Sequence, residues 1–151
     1  MAQGDVVVYN QFKEGLGDGL HDLSSASVWV ALVTNAATQS AATADPRWGS
    51  GGSTNLSSNQ VSVGGNYATG GVSASPSDPW TRSGATCTFD LTDITWSQSG
   101  SNPKSATWAV GYNNSDSGKR AIFSVDLGGL FDMTTGDLAI TWNASGVFTL
   151  A

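Results

Sequence analysis

The chain has 151 residues, with 12 acidic and 6 basic side chains, a formal net charge of −6 and a single cysteine. This acidic balance argues against DNA or RNA binding by phosphate neutralisation. No apolar run approaches the roughly 18 to 20 residues that cross a bilayer, so no membrane partner is expected. One cysteine cannot form an internal disulfide, and the first residues lack a secretion signal, so we expect a soluble protein made in a reducing cytoplasm.

The N-terminal segment predicts one short helix after an apolar run. Asp5 to Tyr9 is that run. Phe12, Leu16 and Leu20 then recur at intervals of four, the spacing of one helix face. Three interspersed glycines weaken the helix, so we place it at about residues 10 to 16.

The next segment, Ser27 to Thr34, predicts a strand covered on both sides. Its apolar residues alternate between two faces without polar interruption, which is typical of a buried strand. One face carries Val28, Val30 and Leu32, and the other carries Trp29, Ala31 and Val33.

Residues 35 to 60 predict an extended loop or arm. Trp48 and Leu56 are almost its only large apolar side chains, and Pro46 with a cluster of glycines interrupts any strand ladder. Loops of this length inside a domain are uncommon, and they are usually functional or ordered by a partner.

Short strands are predicted over the rest of the chain. Thr86 to Thr92 carries the clearest signal, because Cys87, Phe89 and Leu91 alternate with polar residues. Residues 113 to 118 are rich in Asn, Ser and Gly and predict a turn. The other candidate strands lie at about 61 to 63, 67 to 72, 94 to 96, 108 to 112, 123 to 127, 138 to 142 and 147 to 150.

These elements predict a single all-β domain over residues 1 to 151, a β-sandwich or jelly-roll-like barrel of seven to nine short strands with one short N-terminal helix. A phrase recurs within it, because Ile94 to Gly100 matches Ile140 to Gly146 at five of seven positions. In both copies Ile and Trp alternate with Thr before a Ser-Gly turn, so the similarity is interpreted as structural.

Catalytic interpretations are weaker than structural ones. The one histidine, His21, precedes Asp22, an order in which a carboxylate can orient a general base. No Gly-x-Ser-x-Gly motif accompanies it, and Cys87 belongs to the apolar face of a strand. We therefore expect no catalytic residues.

No cofactor or metal is expected either. Asp90 and Asp93 are close in sequence, but twelve acids on a domain of this size produce neighbours by chance. Asp116 lies in the Asn, Ser and Gly turn, where a calcium ion would need six to eight oxygen ligands. An ordinary turn explains that composition better.

The six tryptophans raise the alternative of a glycan- or receptor-binding module. Such modules stack sugars on exposed aromatic rings, and Trp48 and Trp80 lie in polar segments. The other four tryptophans lie on predicted strands, which favours packing in the core or between subunits.

Several phrases together resemble a group of small virion structural proteins of tailed bacteriophages, including capsid cement or decoration proteins. They cover most of the chain from about residue 6 to residue 150, although residues 36 to 58 lack the more acidic segment usual in that group. The phrases are VVVYNQFKEGLGDGLHDL, VWVALVTN, NYATGGV, ATCTFDLTDITW, TWAVGYNN and ITWNASGVFTLA.

The resemblance implies an all-β protein that is synthesised in the host bacterial cytoplasm and added to the capsid surface of the virion. Its expected partner there is the major capsid protein, whose neighbouring subunits it would bridge as a homotrimer. Weak contacts repeated by symmetry gain avidity of roughly 10²- to 10⁴-fold, so no single strong site is required. The resemblance carries over no active-site residues.

Three segments are predicted to make the contacts with subunits and shell, because each combines low apolar periodicity with isolated large side chains. They are the N-terminal stretch, residues 35 to 60, and residues 73 to 83. A phage minor tail protein remains an alternative, since it would share this acidic, β-rich profile. The candidate partner-binding residues are Val7, Tyr9, Trp48, Leu56, Pro76, Pro79 and Trp80.

Overall fold

A computed structural model describes residues 2–24, 27–36, 39–75 and 80–150. It confirms an all-β fold with one short N-terminal α-helix. The described residues form twelve strands, more than the seven to nine predicted, because two-residue strands leave no periodic signal in a sequence. In chain order the elements are β1 (Val6–Val8), α1 (Asn10–Gly17), β2 (Val28–Val33), β3 (Pro46–Arg47), β4 (Thr54–Asn55), a 3-10 helix (Leu56–Asn59), β5 (Val72–Ser73), β6 (Trp80–Ser83), β7 (Thr86–Phe89), β8 (Ile94–Trp96), β9 (Ala106–Asn113), β10 (Ala121–Phe131), β11 (Leu138–Ile140) and β12 (Phe148–Leu150).

A five-stranded antiparallel sheet in the order β1-β10-β9-β2-β5 forms the centre of the fold. Strand β2 lies inside it, and all of its residues except the half-buried Trp29 are buried, as its two apolar faces predict. In the register, Val30 lies opposite Gly111, which lies opposite Phe123. A Cβ atom on Gly111 would collide with the Phe123 ring, so glycine lets this ring lie across β9.

The two-stranded sheet β11-β8 packs on the face of the central sheet that carries Phe123, and the three-stranded sheet β12-β7-β6 packs against helix α1. Trp142, just after β11, meets the Phe123 ring edge-on with centroids 5.5 Å apart. The Phe148 ring of β12 stacks on Phe89 of β7 at 4.9 Å and meets Phe12 of α1 at 5.6 Å.

The repeated phrase lies in the two-stranded sheet, where Ile94 pairs with Ile140. An aspartate at the start of each half binds a backbone N–H of the other half. Asp93 accepts from Trp142, and Asp137 accepts from Gln98, with distances of 2.9 and 2.6 Å. These reciprocal bonds tie together the two strands that carry the repeated phrase, and both aspartates lie outside the phrase itself.

The opposite face of the central sheet is covered by residues 39–61, the segment predicted as an arm. Several of its backbone groups bind neighbouring elements: Ala41 binds Asn10 at the start of α1, Trp48 binds Lys119 in the β9–β10 loop, and Val61 binds Leu32 of β2. The described part of this segment is therefore a layer of the domain.

Helix α1 is close to the predicted helix and buries Phe12 and Gly15. It ends at Gly17, so Leu20 does not share the predicted apolar face and is 44% exposed. A Cβ atom on Gly15 would lie 3.1 Å from the His21 ring, which limits the side chain that this position accepts.

Candidate interaction surface

Three of the predicted partner-binding residues are core residues of this chain, which corrects that prediction. Tyr9, Leu56 and Trp48 are 0%, 1% and 6% exposed. Trp48 stacks on Tyr112 of β9, with ring centroids 5.3 Å apart and planes 11° apart. A partner or a sugar cannot reach these side chains while the domain is folded, so they stabilise the fold.

Tyr9 also anchors the covering segment through its hydroxyl group, which donates a hydrogen bond to the buried Gln39 side chain. Burial raises the pKa of Tyr9 far above its ordinary value, and the neighbouring Ser124 side chain opposes this rise only in part. The phenol is therefore neutral at every physiological pH and acts as a structural group.

The remaining predicted contact residues differ in position. Val7 lies in β1 and Trp80 lies in β6, and both are half-buried. The Trp80 ring packs against Phe89 in a tilted arrangement with centroids 6.5 Å apart. Pro76 and Pro79 lie outside the described residues.

His21 does not form the catalytic arrangement considered from the sequence. Its ring is 7% exposed, lies 4.9 Å from the Phe12 ring, and has no hydrogen-bond partner at either nitrogen within the described residues. The Asp22 carboxylate instead accepts bonds from the backbone and hydroxyl of Ser24. Burial lowers the pKa of His21, the charge of Asp116 opposes this, and that of Arg120 adds to it. The imidazole is thus held neutral.

The aspartates considered for chemistry serve local structure. Asp90 accepts from the backbone of Leu91, and Asp93 accepts from Trp142 as described above. Asp116 pairs with Arg120 at 2.7 Å. Burial acts to raise the pKa of Asp116, but the hydrogen bonds from Arg120 and Gly118 outweigh it and the pKa is lowered.

Cys87 is a free, half-buried thiol on β7 opposite Leu150. Within the described ranges, no three His, Cys, Asp or Glu side chains are grouped so that they could hold a metal ion. The same residues include no helix that is long and apolar enough to span a bilayer.

The most distinctive surface is where the central sheet and the three-stranded sheet both end. β1 is the last strand of one and β12 the last strand of the other. A groove of about 420 Å³ separates them and is lined by all three residues of each strand together with Phe12, Lys13 and Ala41, whose carbonyl oxygen accepts the N–H of Asn10. We call this side of the molecule, with the hollow described next, the open flank.

A second hollow of about 630 Å³ continues the groove beyond Val6, which lines both. Its apolar walls include Leu127, Phe131 and Trp142, and the carboxylates of Asp126 and Asp137 lie among them. Val6 and Leu150 on the flank are 37% and 43% exposed. Leu130, next to Phe131 in the chain, is 69% exposed.

Charges divide along the open flank. Asp126 and Asp137 line the larger hollow, and Lys13 lines the groove at the other end of β1. The ion pairs found among the described residues are Asp45–Arg47 and Asp116–Arg120, so none of the three charges on the flank takes part in one.

The sequence analysis named Val7 and the N-terminal stretch as contact regions, but it did not identify β12 or the larger hollow as part of this surface. The signal in the sequence is the apolar run at residues 6 to 8, which suits an edge strand as well as a core strand. Which of its sides remains open is decided by the pairing with β10. Comparisons with models of protein families, with curated proteins and with solved structures returned no match to this chain.

Proposed function

We propose that this chain is a capsid decoration protein of a tailed bacteriophage, which binds the outside of the head and stabilises contacts between major capsid protein subunits as a trimer. The observation that carries the proposal is the open flank, where apolar side chains and two strand edges remain uncovered in an otherwise polar, weakly charged domain. Exposed apolar patches bordered by polar groups mark protein contact surfaces.

The resemblance of several sequence phrases to phage virion proteins supports the same proposal. They coincide with the frame of this fold: VWVALVTN is β2, TWAVGYNN lies in β9, and the terminal phrase runs from β11 to β12. A role in binding and bracing a shell requires such a frame and no reactive cluster.

Low charge suits this role physically. Acidic and basic residues make up 12% of the chain, so a contact formed by this surface removes few ions from water. Repetition around a symmetric shell then turns modest contacts into stable binding.

Electron cryo-microscopy of the phage particle tests the proposal. We expect density for this fold on the outside of the head, at positions where capsid subunits meet, and a mass in solution of three protomers by sedimentation. Density confined to the tail would replace the proposal with that of a tail protein. If the particle does not contain this chain, both the capsid proposal and the tail alternative are wrong.

A further inference from the structure

We infer that the open flank binds one extended strand of a partner protein, which pairs with the free edge of β1. The strand runs antiparallel to β1 and alternates apolar with polar residues. It carries an acidic side chain near its N-terminal end and a basic one near its C-terminal end. This inference deepens and rests on the proposed function, in which the strand belongs to a capsid subunit.

The backbone of β1 supplies the first argument. Asp126 donates its N–H to the carbonyl oxygen of Asp5, and Tyr9 donates to Ile122, at 3.1 Å each. Residues in an antiparallel ladder alternate, so Val7 directs its backbone groups toward β10, while Val6 and Val8 direct theirs away from it. Two N–H groups and two carbonyls therefore face the groove in the spacing of a strand.

The shape of the flank supplies the second argument. The groove lies between the edges of β1 and β12 and continues past Val6 into the larger hollow. A strand of about six residues spans roughly 20 Å, which matches a path from Gly4 past Val8. Alternate side chains of such a strand would lie on Phe148 and Leu150 in the groove and on Leu127 in the hollow.

Charge complementarity fixes the orientation. β1 runs from the acidic hollow, with Asp126 and Asp137, toward Lys13. One oxygen of each carboxylate accepts a backbone N–H, from Gln98 for Asp137 and from Gly128 for Asp126. Asp126 is buried and Asp137 is exposed, so the second oxygen of Asp137 is the one that can receive a basic side chain. An antiparallel partner strand begins beside Lys13 and ends beside the carboxylates. An acidic start and a basic end therefore complement the flank.

The partner-strand inference is tested with a peptide, without capsids. The probe is acetyl-Glu-Val-Thr-Val-Thr-Val-Arg-amide, titrated into isotope-labelled protein while backbone amide signals are followed by NMR. We expect saturable shifts at Val6, Val8 and Lys13 with a Kd near 1 mM, about 4 kcal/mol of binding. The same peptide methylated at its central backbone nitrogens should give none.

Variants separate backbone pairing from charge. Val6→Pro removes an outward N–H that β10 does not use, and proline is tolerated on an edge strand, so binding should be lost while the fold persists. Lys13→Glu should weaken the peptide about two- to fivefold, the range of an exposed ion pair. A peptide with Arg in place of its Glu should restore binding to that variant. Lys104→Glu, at an exposed lysine that lines neither the groove nor the hollow, is the matched control and should change nothing.

Two results would overturn the inference and leave the proposed function standing. One is an absence of saturable shifts along β1, or shifts that survive both Val6→Pro and the methylated peptide. The other is a dimer or trimer of the free protein that Val6→Pro dissociates, since the flank would then be covered by a second copy of this chain. Conversely, the chain could be absent from phage heads and still bind the peptide. That result would overturn the capsid proposal and leave the inferred strand-binding site standing.

Discussion

The indole of Trp48 lies flat against the phenol ring of Tyr112, with centroids 5.3 Å apart and an angle of 11° between the planes. This contact ties the 39–61 segment to the central sheet. A tryptophan in a run of Gly, Ser, Thr and Asn thus closes one face of the core.

Replacement of Trp48 should destabilise the domain. Trp48→Ala removes a stacked ring that is 6% exposed, and the free energy of unfolding should fall by about 3 to 5 kcal/mol. Urea denaturation followed by circular dichroism measures this. Trp80→Ala, at a half-buried ring, is the control and should cost less. If Trp48→Ala leaves stability unchanged and abolishes partner binding, Trp48 is a contact residue and the prediction is wrong.

The reciprocal aspartate bonds should stabilise the β8–β11 pair together. Asp93→Ala and Asp137→Ala each free one backbone N–H, of Trp142 and Gln98, and each should lower the free energy of unfolding by about 1 kcal/mol. Because both bonds hold one two-stranded sheet, the double variant should deviate from additivity. Thermal unfolding of the single and double variants measures this.

Asp90→Ala provides the comparison for these two variants. Its carboxylate accepts the N–H of the next residue, Leu91, and within the described ranges it accepts no bond from another segment. We expect a smaller loss than at Asp93 or Asp137. Equal losses of unfolding free energy at all three positions would contradict the role of the Asp93 and Asp137 bonds in joining β8 to β11.

Gly71 should tolerate no side chain. Its φ of +83° is in the left-handed region, and a Cβ atom there would collide with the Val30 carbonyl group of β2. Gly71→Ala should therefore lower the free energy of unfolding by more than about 2 kcal/mol. Gly100→Ala is the control, since nothing lies within 4 Å of its Cβ position. Equal midpoints in urea for the two variants would contradict the prediction.

His21 should make stability depend on pH. Burial lowers its pKa in the folded protein below the ordinary value of 6.5, whereas the unfolded chain keeps that value. The unfolded state then binds the proton more readily. The neutral imidazole contributes full stability above pH 6.5, and stability falls as the pH drops below it, by less than about 1.4 kcal/mol per pH unit.

His21→Phe isolates this effect because it keeps an aromatic ring beside Phe12 and removes both unpartnered nitrogens. Relative to the wild type, the variant should gain stability as the pH is lowered from 7.5 to 5.5. Asp116, Arg120 and the neighbouring Asp22 remain in both proteins, so they cancel in the difference. Parallel stability curves for the two proteins would reject a role for His21 ionisation.

Local patterns in the sequence were sufficient to predict the longer strands and the helix. The strand predicted at 61 to 63 is absent, and of residues 67 to 72 only Val72 lies in a strand. The uninterrupted apolar alternation of Val28 to Val33 identifies a strand buried on both faces, because side chains alternate with a period of two whatever the neighbours are. Phe12 and Leu16 indicate the helix for a similar reason, and Gly17 lies at its end. The all-β class follows from such elements together.

Tertiary structure alone decided which surfaces are covered. Trp48, Leu56 and Gln39 are buried because β2 and β9 present an apolar face to a segment distant from them in sequence, and the polar composition of that segment hides the contact. The same holds for the open flank, since Val6 to Val8 could equally have occupied the middle of a sheet. Burial and strand order depend on contacts between residues far apart in the chain, and no local pattern encodes them.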